Sequence, residues 1–504
     1  MKNSYKILLI AILSLFLNGC SLKEEPYGFL SSDQFYKSAG DAYSGLAYCY
    51  DLLPNTEYYS RYLYFIGVAP TEEMTFKPDA GVDDRELDLW TSTANNLDLQ
   101  SVFTNAYMGI NRSNFLLEHI DAITMDQTTK NQYKGEAMFL RALHYFNLVR
   151  IFGSVPLRKT SVTTSSQISV GLSPMKDIYD YLIDDLLEAE KLTDLQVREG
   201  RANKVAVQAL LAKVYLQLAS AKATNVPKYD FVSNADEYYS KAATYAAKVL
   251  NDQSSYTFWT GNLPKLWDVD NQVGNEFIFN VATHVIGGKE EGDWSTLSML
   301  TTPYVDGNPI SFGADYGVTI KDGWSHLQTE SAFYNSFDPS DKRLTELIIS
   351  SVRLSDGTSI KSYPNGGLQF PFTLKLIDKN QGPTSQNSGH AIPVIRFSDI
   401  ALVYAEAAGP TAEAYAWVNK IRNRAGLADL TPGLSVDAFR LKILDERSFE
   451  LAFEGNRLFD LRRTRQIETV LNKKYGINIT DNAATAYYYN IPQREIDNNP
   501  GLTQ

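Results

Sequence analysis

Residues 136–157 read EAMFLRALHYFNLVRIFGSVPL, and their apolar side chains recur at the spacing of an α-helix. Two apolar stripes run along this helix: the first is formed by Met138, Ala142, Tyr145, Val149 and Phe152, and the second by Phe139, Leu143 and Phe146. A helix at the surface of a protein needs only one such stripe, because its other side contacts water. The segment therefore predicts a helix that is covered by its neighbours on more than one side.

The same spacing recurs elsewhere in the chain, for example at Val207, Leu211, Val214, Leu218 and Ala221. It predicts helices over residues 33–53, 98–121, 129–152, 174–192, 203–221, 234–250, 398–408, 412–425 and 436–454. Residues 54–97 and 251–397 break this pattern and are rich in Gly, Pro, Asn and Asp. Because a structureless loop as long as the second stretch is uncommon in a compact protein, we expect that stretch to fold as an insertion. The predicted fold is mainly α, an irregular helical-repeat scaffold that carries an irregular α+β insertion subdomain.

The composition excludes several classes of protein. The chain has 504 residues, of which 44% are hydrophobic, and this fraction is enough for a full-sized core. Its formal charge is −12, and no basic run is long enough to hold a phosphate backbone, which argues against nucleic-acid binding. Two cysteines are too few for a disulfide framework or a cysteine-rich metal site.

The N-terminus predicts export and a lipid anchor. Lys2 and Lys6 precede an apolar run over residues 7–17, which is too short to span a bilayer but suits a secretory signal. Residues 17–20 read LNGC and resemble the bacterial lipobox, which directs cleavage before an acylated cysteine, although Asn18 departs from the usual small residue. We therefore expect Cys20 to carry the lipid anchor, with two or more acyl chains making the attachment stable.

The chain is thus divided into five predicted segments. These are a signal peptide at 1–19, a lipid-anchored tether at 20–32, an N-terminal helical-repeat region at 33–250 with a loop insertion at 54–97, an irregular ligand-binding subdomain at 251–397, and a C-terminal helical region at 398–504. Within the tether, residues 23–25 read KEE and resemble the acidic signal that sends lipoproteins of the Bacteroidetes to the outer face of the outer membrane.

Charged residues that could suggest catalysis are better explained as structural. Glu446, Glu450 and Glu454 lie four residues apart on one predicted helix face, and paired carboxylates do serve glycoside hydrolysis. Arginines are interleaved with them, which favours ionised salt-bridge partners over an acid held protonated. Four further residues are expected to fasten helices rather than to contact a ligand: Glu136, Arg141, Arg396 and Asp399.

No pattern of metal ligands or catalytic residues is complete. Residues 268–271 read DVDN and resemble the start of a calcium loop, but the glycine and the distant glutamate that such a loop requires are missing. The sequence contains no HExxH, GxSxG, CxxC or phosphate-binding glycine loop, and its five histidines show no ligand spacing. We therefore predict no metal, no cofactor and no catalytic residue.

The distribution of tryptophans predicts where a ligand binds. Trp417 lies in a predicted helix, whereas the other five tryptophans lie in the two stretches that break the helical pattern. A sugar ring packs its C–H face on an aromatic plane, while its hydroxyls need polar partners at the rim. Trp259 and Trp267 are expected to be packing residues, and packing remains the alternative for the others. The candidate ligand-binding residues are Trp90, Trp294 and Trp324, with Tyr304 and Tyr316 as weaker candidates and with Arg85 and Asp83 as polar partners near Trp90.

Several blocks of the sequence resemble, in order, those of the SusD/RagB family of nutrient-binding lipoproteins of the Bacteroidetes. Residues 136–157 resemble its signature helix very closely, and GRANK at 200–204 with ALLAKVYL at 209–216 resembles the next block. Asp338 and Pro339, with Asp341 and Arg343, resemble its Asp-Pro-x-x-x-Arg turn. The C-terminal blocks are IPVIRFSDIALVYAEA at 392–407, VNKIRNRAGL at 418–427, ERSFELAFEGNRLFDLRR at 446–463 and IPQREIDNNPGLTQ at 491–504. None of the candidate ligand-binding residues lies in these blocks.

The resemblance implies a scaffold of tetratricopeptide-like helix pairs and an irregular subdomain that bears the ligand face. It also implies a partner, a SusC-type TonB-dependent β-barrel transporter, over which the lipoprotein sits as a lid and to which it delivers oligomeric nutrients. We expect a lipid-anchored protein of the outer membrane that binds an oligosaccharide, such as a starch-like glycan, and is not an enzyme. Three alternatives stay open: a peptide ligand, as the RagB branch suggests; glycoside hydrolysis; and a soluble tetratricopeptide-type chaperone adaptor, which conflicts with the lipobox.

Overall fold

Helices occupy all nine segments in which the apolar spacing predicts them, and the predicted mainly α fold is confirmed. The computed structural model describes residues 36–252, 256–284, 294–313, 317–475 and 486–502. The predicted signal peptide and the predicted tether at 20–32 lie outside the described residues.

The described residues form eighteen α-helices, numbered here in chain order: α1 Ala39–Tyr50, α2 Tyr62–Val68, α3 Val82–Asp88, α4 Leu97–His119, α5 Gln127–Phe152, α6 Met175–Leu192, α7 Lys204–Ala223, α8 Ala235–Asn251, α9 Leu263–Leu266, α10 Leu297–Thr301, α11 Ser331–Tyr334, α12 Lys342–Leu347, α13 Phe397–Ala408, α14 Ala412–Arg424, α15 Val436–Glu450, α16 Arg457–Arg463, α17 Ile467–Tyr475 and α18 Gln493–Asn498. They also form ten short strands: β1 Met74–Phe76, β2 Phe277–Val281, β3 Ile310–Phe312, β4 Val318–Ile320, β5 Leu327–Thr329, β6 Ile348–Ile349, β7 Ser351–Leu354, β8 Ile360–Ser362, β9 Phe372–Thr373 and β10 Ile392–Arg396.

Side-chain caps fix the starts of the long helices. The Asp126 carboxylate accepts a hydrogen bond from the Thr129 amide (2.8 Å) at the start of α5, and the Asn203 side chain accepts one from the Ala206 amide (3.1 Å) at the start of α7. Helix α5 ends at Gly153, whose φ of +76° is a conformation that L-residues with a side chain rarely adopt. These local signals set where each helix begins and ends.

The long helices pack in sequence, α4 against α5, α5 against α6, α6 against α7 and α7 against α8, and α13 then packs on α8 and α7. Both apolar stripes of α5 are buried, with the exception of Met138, which is partly buried. This arrangement explains why α5 needs two stripes. No helix in the described part of the chain is both long enough and apolar enough to cross a membrane.

Buried ion pairs connect the helices of the scaffold. Each of the four charged residues expected to fasten helices is buried in an ion pair: Glu136 with Arg201, whose own side chain is partly exposed, Arg141 with Asp185, Arg396 with Glu276, and Asp399 with Arg447. A carboxylate that is buried with a guanidinium avoids the cost of an unpaired charge in a medium of low polarity. These residues therefore fasten the scaffold, as predicted, and Arg396 does so from strand β10 rather than from a helix.

A second hydrophobic core lies within residues 263–377, inside the stretch that was expected to fold as an insertion. Trp267, predicted to be a packing residue, is 2% exposed in this core and contacts Phe277 edge-on. A four-stranded antiparallel sheet, in the order β4-β3-β7-β8, contributes Ile310, Ile320 and Val352 to the same core. Strands β2 and β10 pair antiparallel directly before α13, and β1 pairs antiparallel with β5, so both pairs connect this region to the helices.

A cluster of buried charges fastens the second core to the helices. Arg396 is 1% exposed and contacts Glu276 (2.8 Å), Glu450 (3.1 Å) and Glu454 (2.7 Å). Lys375, which belongs to the region of the second core, contacts Glu454 at 2.6 Å. Because Glu450 is the last residue of α15 and Arg396 the last residue of β10, this cluster holds the irregular region rigidly against the scaffold.

Candidate functional site

Two candidate ligand-binding residues, Trp324 and Tyr304, lie on neighbouring backbone segments. The amide of Trp324 donates to the Met299 carbonyl (2.8 Å), and the amide of Tyr304 donates to the Ser325 hydroxyl (2.7 Å). Trp324 and Tyr304 are 40% and 52% exposed, whereas most aromatic residues in the described ranges are buried. The structure therefore places two exposed aromatic residues on adjoining backbone segments, and we call the surface that carries Trp324 and Tyr304 the aromatic face.

The turn that carries the aromatic face is held from inside by Asp322 and Gly323. Asp322 is 2% exposed, and its Oδ2 accepts hydrogen bonds from the amides of Val305 (2.6 Å) and Gly307 (2.9 Å). A Cβ on Gly323 would lie only 2.0 Å from the carbonyl oxygen of Thr302. The two segments thus approach each other so closely that only glycine fits between them, which fixes the position of the aromatic rings.

His326 attaches the same segment to the scaffold. Its Nε2 lies 3.0 Å from Oδ2 of Asp84 on α3, and its ring stacks on Phe65 of α2 with a centroid distance of 5.6 Å. Strand β5 begins at the next residue, Leu327, and pairs with β1. The aromatic face is therefore anchored to the scaffold two residues from Trp324.

A pair of buried carboxyl groups lies behind this attachment. Burial, and then the charge of Asp84, raise the pKa of Asp98 to about 8. Burial opposes ionisation of Asp84 as well, but its contacts with His326 lower the pKa of Asp84 overall. Asp98 also shares a hydrogen bond with Asp84. At neutral pH Asp98 is therefore the protonated member and donates to the carboxylate of Asp84.

Trp90, the third tryptophan of interest, is only partly buried but packs toward the interior. It has a φ of +58°, and its ring stacks on Tyr489 with a centroid distance of 6.5 Å and an interplanar angle of 25°. Its indole Nε1 is buried and has no hydrogen-bond partner. One face of Trp90 is thus used for packing, and its role as a stacking surface for a ligand stays a prediction.

The two polar residues predicted near Trp90 have different surroundings. Oδ1 of Asp83 accepts a hydrogen bond from the Leu97 amide (2.8 Å), and the Asp83 carbonyl accepts one from the Asn96 side chain (2.9 Å), so Asp83 holds the start of α4. The side chain of Arg85 is exposed and makes no ion pair or hydrogen bond with the described residues. Arg85 is therefore free to contact a ligand, whereas Asp83 is already engaged.

The remaining predicted site residues are only partly described. Trp294 is half-buried and precedes Ser295, which forms a two-hydrogen-bond bridge with Ser388. Helix α10 follows and supplies the Met299 carbonyl that accepts from Trp324, so Trp294 begins the segment that supports the aromatic face. Tyr316 and the predicted lipid-anchor residue Cys20 lie outside the described residues.

The glutamates that could suggest catalysis are ion-pair partners. Glu446 contacts Arg343 at 2.6 Å, and Glu454 contacts Arg396 at 2.7 Å. Burial opposes ionisation of Glu450, but the charges of the neighbouring arginines lower its pKa to about 2. A general acid for glycoside hydrolysis must be protonated near neutral pH, and Glu450 does not meet that requirement.

The segment that resembles the start of a calcium loop already contains a cation. Nζ of Lys379 lies 2.5 Å from Asp268 and 2.8 Å from Asp270. The ammonium group thus pairs with both carboxylates. Among the described residues, no group of three or more His, Cys, Asp or Glu side chains is arranged to hold a metal ion.

Two open pockets that the sequence did not indicate adjoin Tyr48 of α1. They have volumes of about 590 and 480 Å³, within the usual range of ligand pockets, and Tyr48 lines both of them. Tyr43 and Tyr48 are 52% and 56% exposed, and the Arg112 guanidinium lies 3.5 Å from the ring centre of Tyr48. We call this surface the α1 groove. Its tyrosines lie inside a predicted helix, and their exposure becomes visible only in the structure.

Comparisons with known proteins identify the family. The family model described as the SusD family matches residues 275–504, and the one described as starch-binding associating with outer membrane matches residues 70–216. The chain belongs to the SusD/RagB family. This SusD-like protein is 25% identical to SusD-like protein P2 of Formosa agariphila over 489 residues, which are 92% of this chain and 90% of that protein. It is 23% identical to the starch-binding protein SusD of Bacteroides thetaiotaomicron, with 86% of this chain and 83% of that protein covered.

Solved structures support the same fold. A laminarin binding SusD-like protein superimposes with a TM-score of 0.75 at 23% sequence identity, covering 92% of this chain and 98% of that one. Such coverage includes both the helical scaffold and the irregular region. The SusD-like fold that the sequence blocks predicted is therefore confirmed.

Proposed function

We propose that this SusD-like protein captures oligosaccharides at the cell surface and delivers them to a SusC-type TonB-dependent transporter, while Cys20 anchors it to the outer membrane. The observation that carries the proposal is the aromatic face, where Trp324 and Tyr304 expose two rings on a rigid turn. A pyranose ring stacks on such a surface through its C–H groups, and nearby polar groups bind its hydroxyls. The protein binds and releases the sugar without changing any of its covalent bonds.

A small number of ring contacts predicts modest affinity. Binding energy in such sites depends on a few well-packed side chains, and part of it is offset by the lost freedom of the ligand. We expect dissociation constants on the order of micromolar to millimolar for short oligosaccharides. Modest affinity suits a protein that must also release its ligand to a transporter.

Glucans are the first ligands to test. Relatives of this chain carry names that refer to starch and to laminarin, an α-glucan and a β-glucan. The exposed rings favour a sugar over a peptide, because a pyranose ring stacks its C–H face on an aromatic plane. Peptides of similar length serve as the alternative ligand class in the same screen.

The aromatic face can be tested by calorimetric titration of the mature protein with starch and laminarin oligosaccharides. Trp324→Ala and Tyr304→Ala should each weaken binding by about tenfold or more, equivalent to ~1.4 kcal/mol, because each variant removes a stacking ring. The melting temperature should change little, because both side chains are exposed.

Tyr43→Ala is the matched control, because Tyr43 is as exposed as Tyr304 but lies in the α1 groove. It should bind glycan like the wild type. If Trp324→Ala and Tyr304→Ala both kept wild-type affinity while Tyr43→Ala lost affinity, the glycan site would lie in the α1 groove instead of the aromatic face. If the protein bound peptides but not glycans, its ligand would be a peptide and the proposed ligand class would be wrong.

The anchor and the partner need separate experiments. Cells that express the full chain should incorporate labelled palmitate into the wild type but not into Cys20→Ala, and proteolysis of intact cells should report exposure at the surface. A TonB-dependent β-barrel should copurify with the wild-type protein from detergent-solubilised outer membranes. A protein that is unmodified and remains in the soluble fraction would contradict the anchor without affecting the glycan measurement.

A further inference from the structure

One of the two pockets of the α1 groove lies against α4 and has a volume of about 480 Å³. We call it the α4 pocket. Tyr48 lines it from α1, and Tyr48 and Met108 are 56% and 41% exposed. The aromatic and apolar residues that α4 contributes to its lining are Phe103, Tyr107, Met108, Ile110 and Phe115. A concave surface of this composition gains free energy when another apolar group covers it.

Several polar side chains of the α4 pocket are already occupied within the protein. The Tyr107 hydroxyl donates to the Pro156 carbonyl (2.6 Å), and the Asn111 side chain accepts from the Val162 amide (2.6 Å). The Asn114 side chain accepts from a guanidinium and donates to a backbone carbonyl. A sugar needs free polar partners for its hydroxyls. The α4 pocket therefore suits an apolar peptide segment better than a sugar.

The chain enters the scaffold at the wall of this pocket. Tyr36, the first described residue, lines the α4 pocket and is 8% exposed. Its ring stacks on His119 with a centroid distance of 5.4 Å, and a Cβ on Gly45 would lie only 2.5 Å from its hydroxyl oxygen. The Asp41 carboxylate accepts a hydrogen bond from the Ser38 amide (2.8 Å), which fixes the backbone that follows. The residues before Tyr36 therefore start at the pocket itself.

The residues directly before Tyr36 have the composition that this pocket requires. Residues 27–35 read YGFLSSDQF, and we call them the linking segment. Leu30 lies six residues before Tyr36, so an extended backbone lets it reach about 20 Å from Tyr36, far enough to span a pocket of this volume. The large apolar and aromatic side chains of the linking segment are Tyr27, Phe29, Leu30 and Phe35.

The charges of the two partners are complementary. Residues 20–35 contain one lysine and three carboxylates, a net charge of −2. The described lining of the α4 pocket contains two arginines, Arg112 and Arg158, and one carboxylate, Glu495. Opposite charges around an apolar contact guide the two surfaces together and fix their orientation.

We propose that the linking segment binds in the α4 pocket and buries Phe29, Leu30 and Phe35 there. The free part of the tether is then residues 20–26, which span at most about 25 Å when extended, whereas free residues 20–35 would span about 55 Å. With Cys20 as the lipid anchor, this binding holds the scaffold close to the membrane. The contact is separate from the aromatic face and does not depend on glycan binding.

Photo-crosslinking tests where the linking segment binds. In the mature chain, residues 20–504, p-benzoylphenylalanine replaces Phe29, and Cys20→Ser keeps the chain free of lipid. After irradiation, mass spectrometry of the digested monomer should find crosslinks to residues 103–115 of α4. The proposal would be overturned by crosslinks only to other parts of the chain or by no crosslink at all. A crosslinked dimer without intramolecular crosslinks would also overturn it, because the segment would then bind a second copy.

Met108→Glu tests the pocket in the same crosslinking experiment. A carboxylate at this position disfavours contact with apolar side chains, so the yield of crosslinks to α4 should fall by about fivefold or more. Leu441→Glu is the matched control, because Leu441 is 48% exposed on α15 and lies outside the described lining of the α4 pocket. Its yield should equal that of the wild type. Equal yields in the two variants would mean that the pocket does not hold the linking segment.

The methyl resonance of Met108 gives a second readout that needs no crosslinker. In protein with isotope-labelled methionine methyl groups, an aromatic ring packed on Met108 shifts its methyl signal. Phe29→Ala combined with Phe35→Ala should therefore move this signal by more than its line width. The signal of Met299, which lies beside the aromatic face, should stay in place. An unchanged Met108 signal would contradict the proposal.

Discussion

Replacing Glu450 with alanine removes a carboxylate that three arginines share. Glu450 lies 2.7 Å from Arg424, 3.1 Å from Arg396 and 3.5 Å from Arg343. All four side chains are at most 5% exposed, so water cannot replace the missing contacts without entering the core. The variant therefore leaves three buried cations with one counter-charge fewer.

The size of the effect follows from the pKa of Glu450. The arginine charges overcome the opposing effect of burial and lower this pKa from 4.5 to about 2. One pKa unit corresponds to about 1.4 kcal/mol, so the surroundings favour the ionised form by ~3 kcal/mol. Removing one partner from a buried ion pair costs ~3–5 kcal/mol in other proteins. We expect Glu450→Ala to lower the free energy of unfolding by about 3 kcal/mol.

Urea unfolding, followed by tryptophan fluorescence and circular dichroism, measures this loss as a lower midpoint. Glu188→Ala is the matched control, because Glu188 is 45% exposed and pairs with Lys191 at 2.7 Å on the surface of α6. Its free energy of unfolding should change by less than about 0.5 kcal/mol. Equal midpoints for Glu450→Ala and Glu188→Ala would refute the view that the buried charges fasten the two cores.

The pH dependence of the folding stability tests the contribution of Glu450 independently. Because the pKa of Glu450 is lower in the folded state than in the unfolded chain, its contribution to stability is present above pH 4.5 and is lost as the pH falls toward 2. The difference in stability between the wild type and Glu450→Gln should therefore shrink over this range. A difference that stays constant between pH 5 and pH 2.5 would contradict the assigned pKa.

Two further predictions concern the aromatic face and its attachment. Gly323→Ala places a Cβ 2.0 Å from the Thr302 carbonyl oxygen, so it should weaken glycan binding by about tenfold in calorimetric titration, whereas Gly40→Ala, whose nearest contact is 3.6 Å, should not. Asp98 has a pKa of about 8 in the folded state, above its value in the unfolded chain, so its contribution to stability falls as the pH rises from about 4 to 8. Melting temperatures of the wild type should therefore decline relative to Asp98→Asn over that range, because asparagine cannot ionise beside Asp84.

Each of these predictions has a clear contrary result. Wild-type affinity in Gly323→Ala would mean that the close approach of the two segments does not position the aromatic rings. A constant difference in melting temperature between the wild type and Asp98→Asn from pH 5 to pH 8 would mean that Asp98 does not hold its proton in the folded protein.

The sequence predicts the helices well because their signal is local. A stripe such as the one from Met138 to Phe152 repeats four or more times, and caps such as Asp126 mark where a helix starts. The short strands carry no comparable signal. Strand β1 has three residues, too few for a period, and its partner β5 lies far along the chain, so their pairing could not be derived from either segment alone. Helix α2 was missed for a related reason, since its seven residues are almost all apolar and show no helical stripe.

The sequence indicated some of the residues of the candidate site but not how they are arranged in space. The surplus of tryptophans outside the helical segments drew attention to Trp324, and the structure places Tyr304 beside it. That proximity depends on Gly323, whose role is visible only once two distant backbone segments are in contact. The orientation of Trp90 could not be predicted either, because the ring that covers it, Tyr489, comes from the other end of the chain.

The residues that identify the family and the residues proposed to bind a ligand have separate tasks in this fold. The block at 446–463 is one of those that resemble the family, and its charged side chains are occupied by ion pairs such as Glu446 with Arg343 and Arg463 with Glu406. Side chains that are fully engaged inside the protein cannot also select a ligand. Trp324, in contrast, lies on a turn whose shape is maintained by Asp322 and by the backbone. Under the proposed function, substitutions at position 324 should therefore change which sugar is bound without loosening the attachment of the irregular region to the helices.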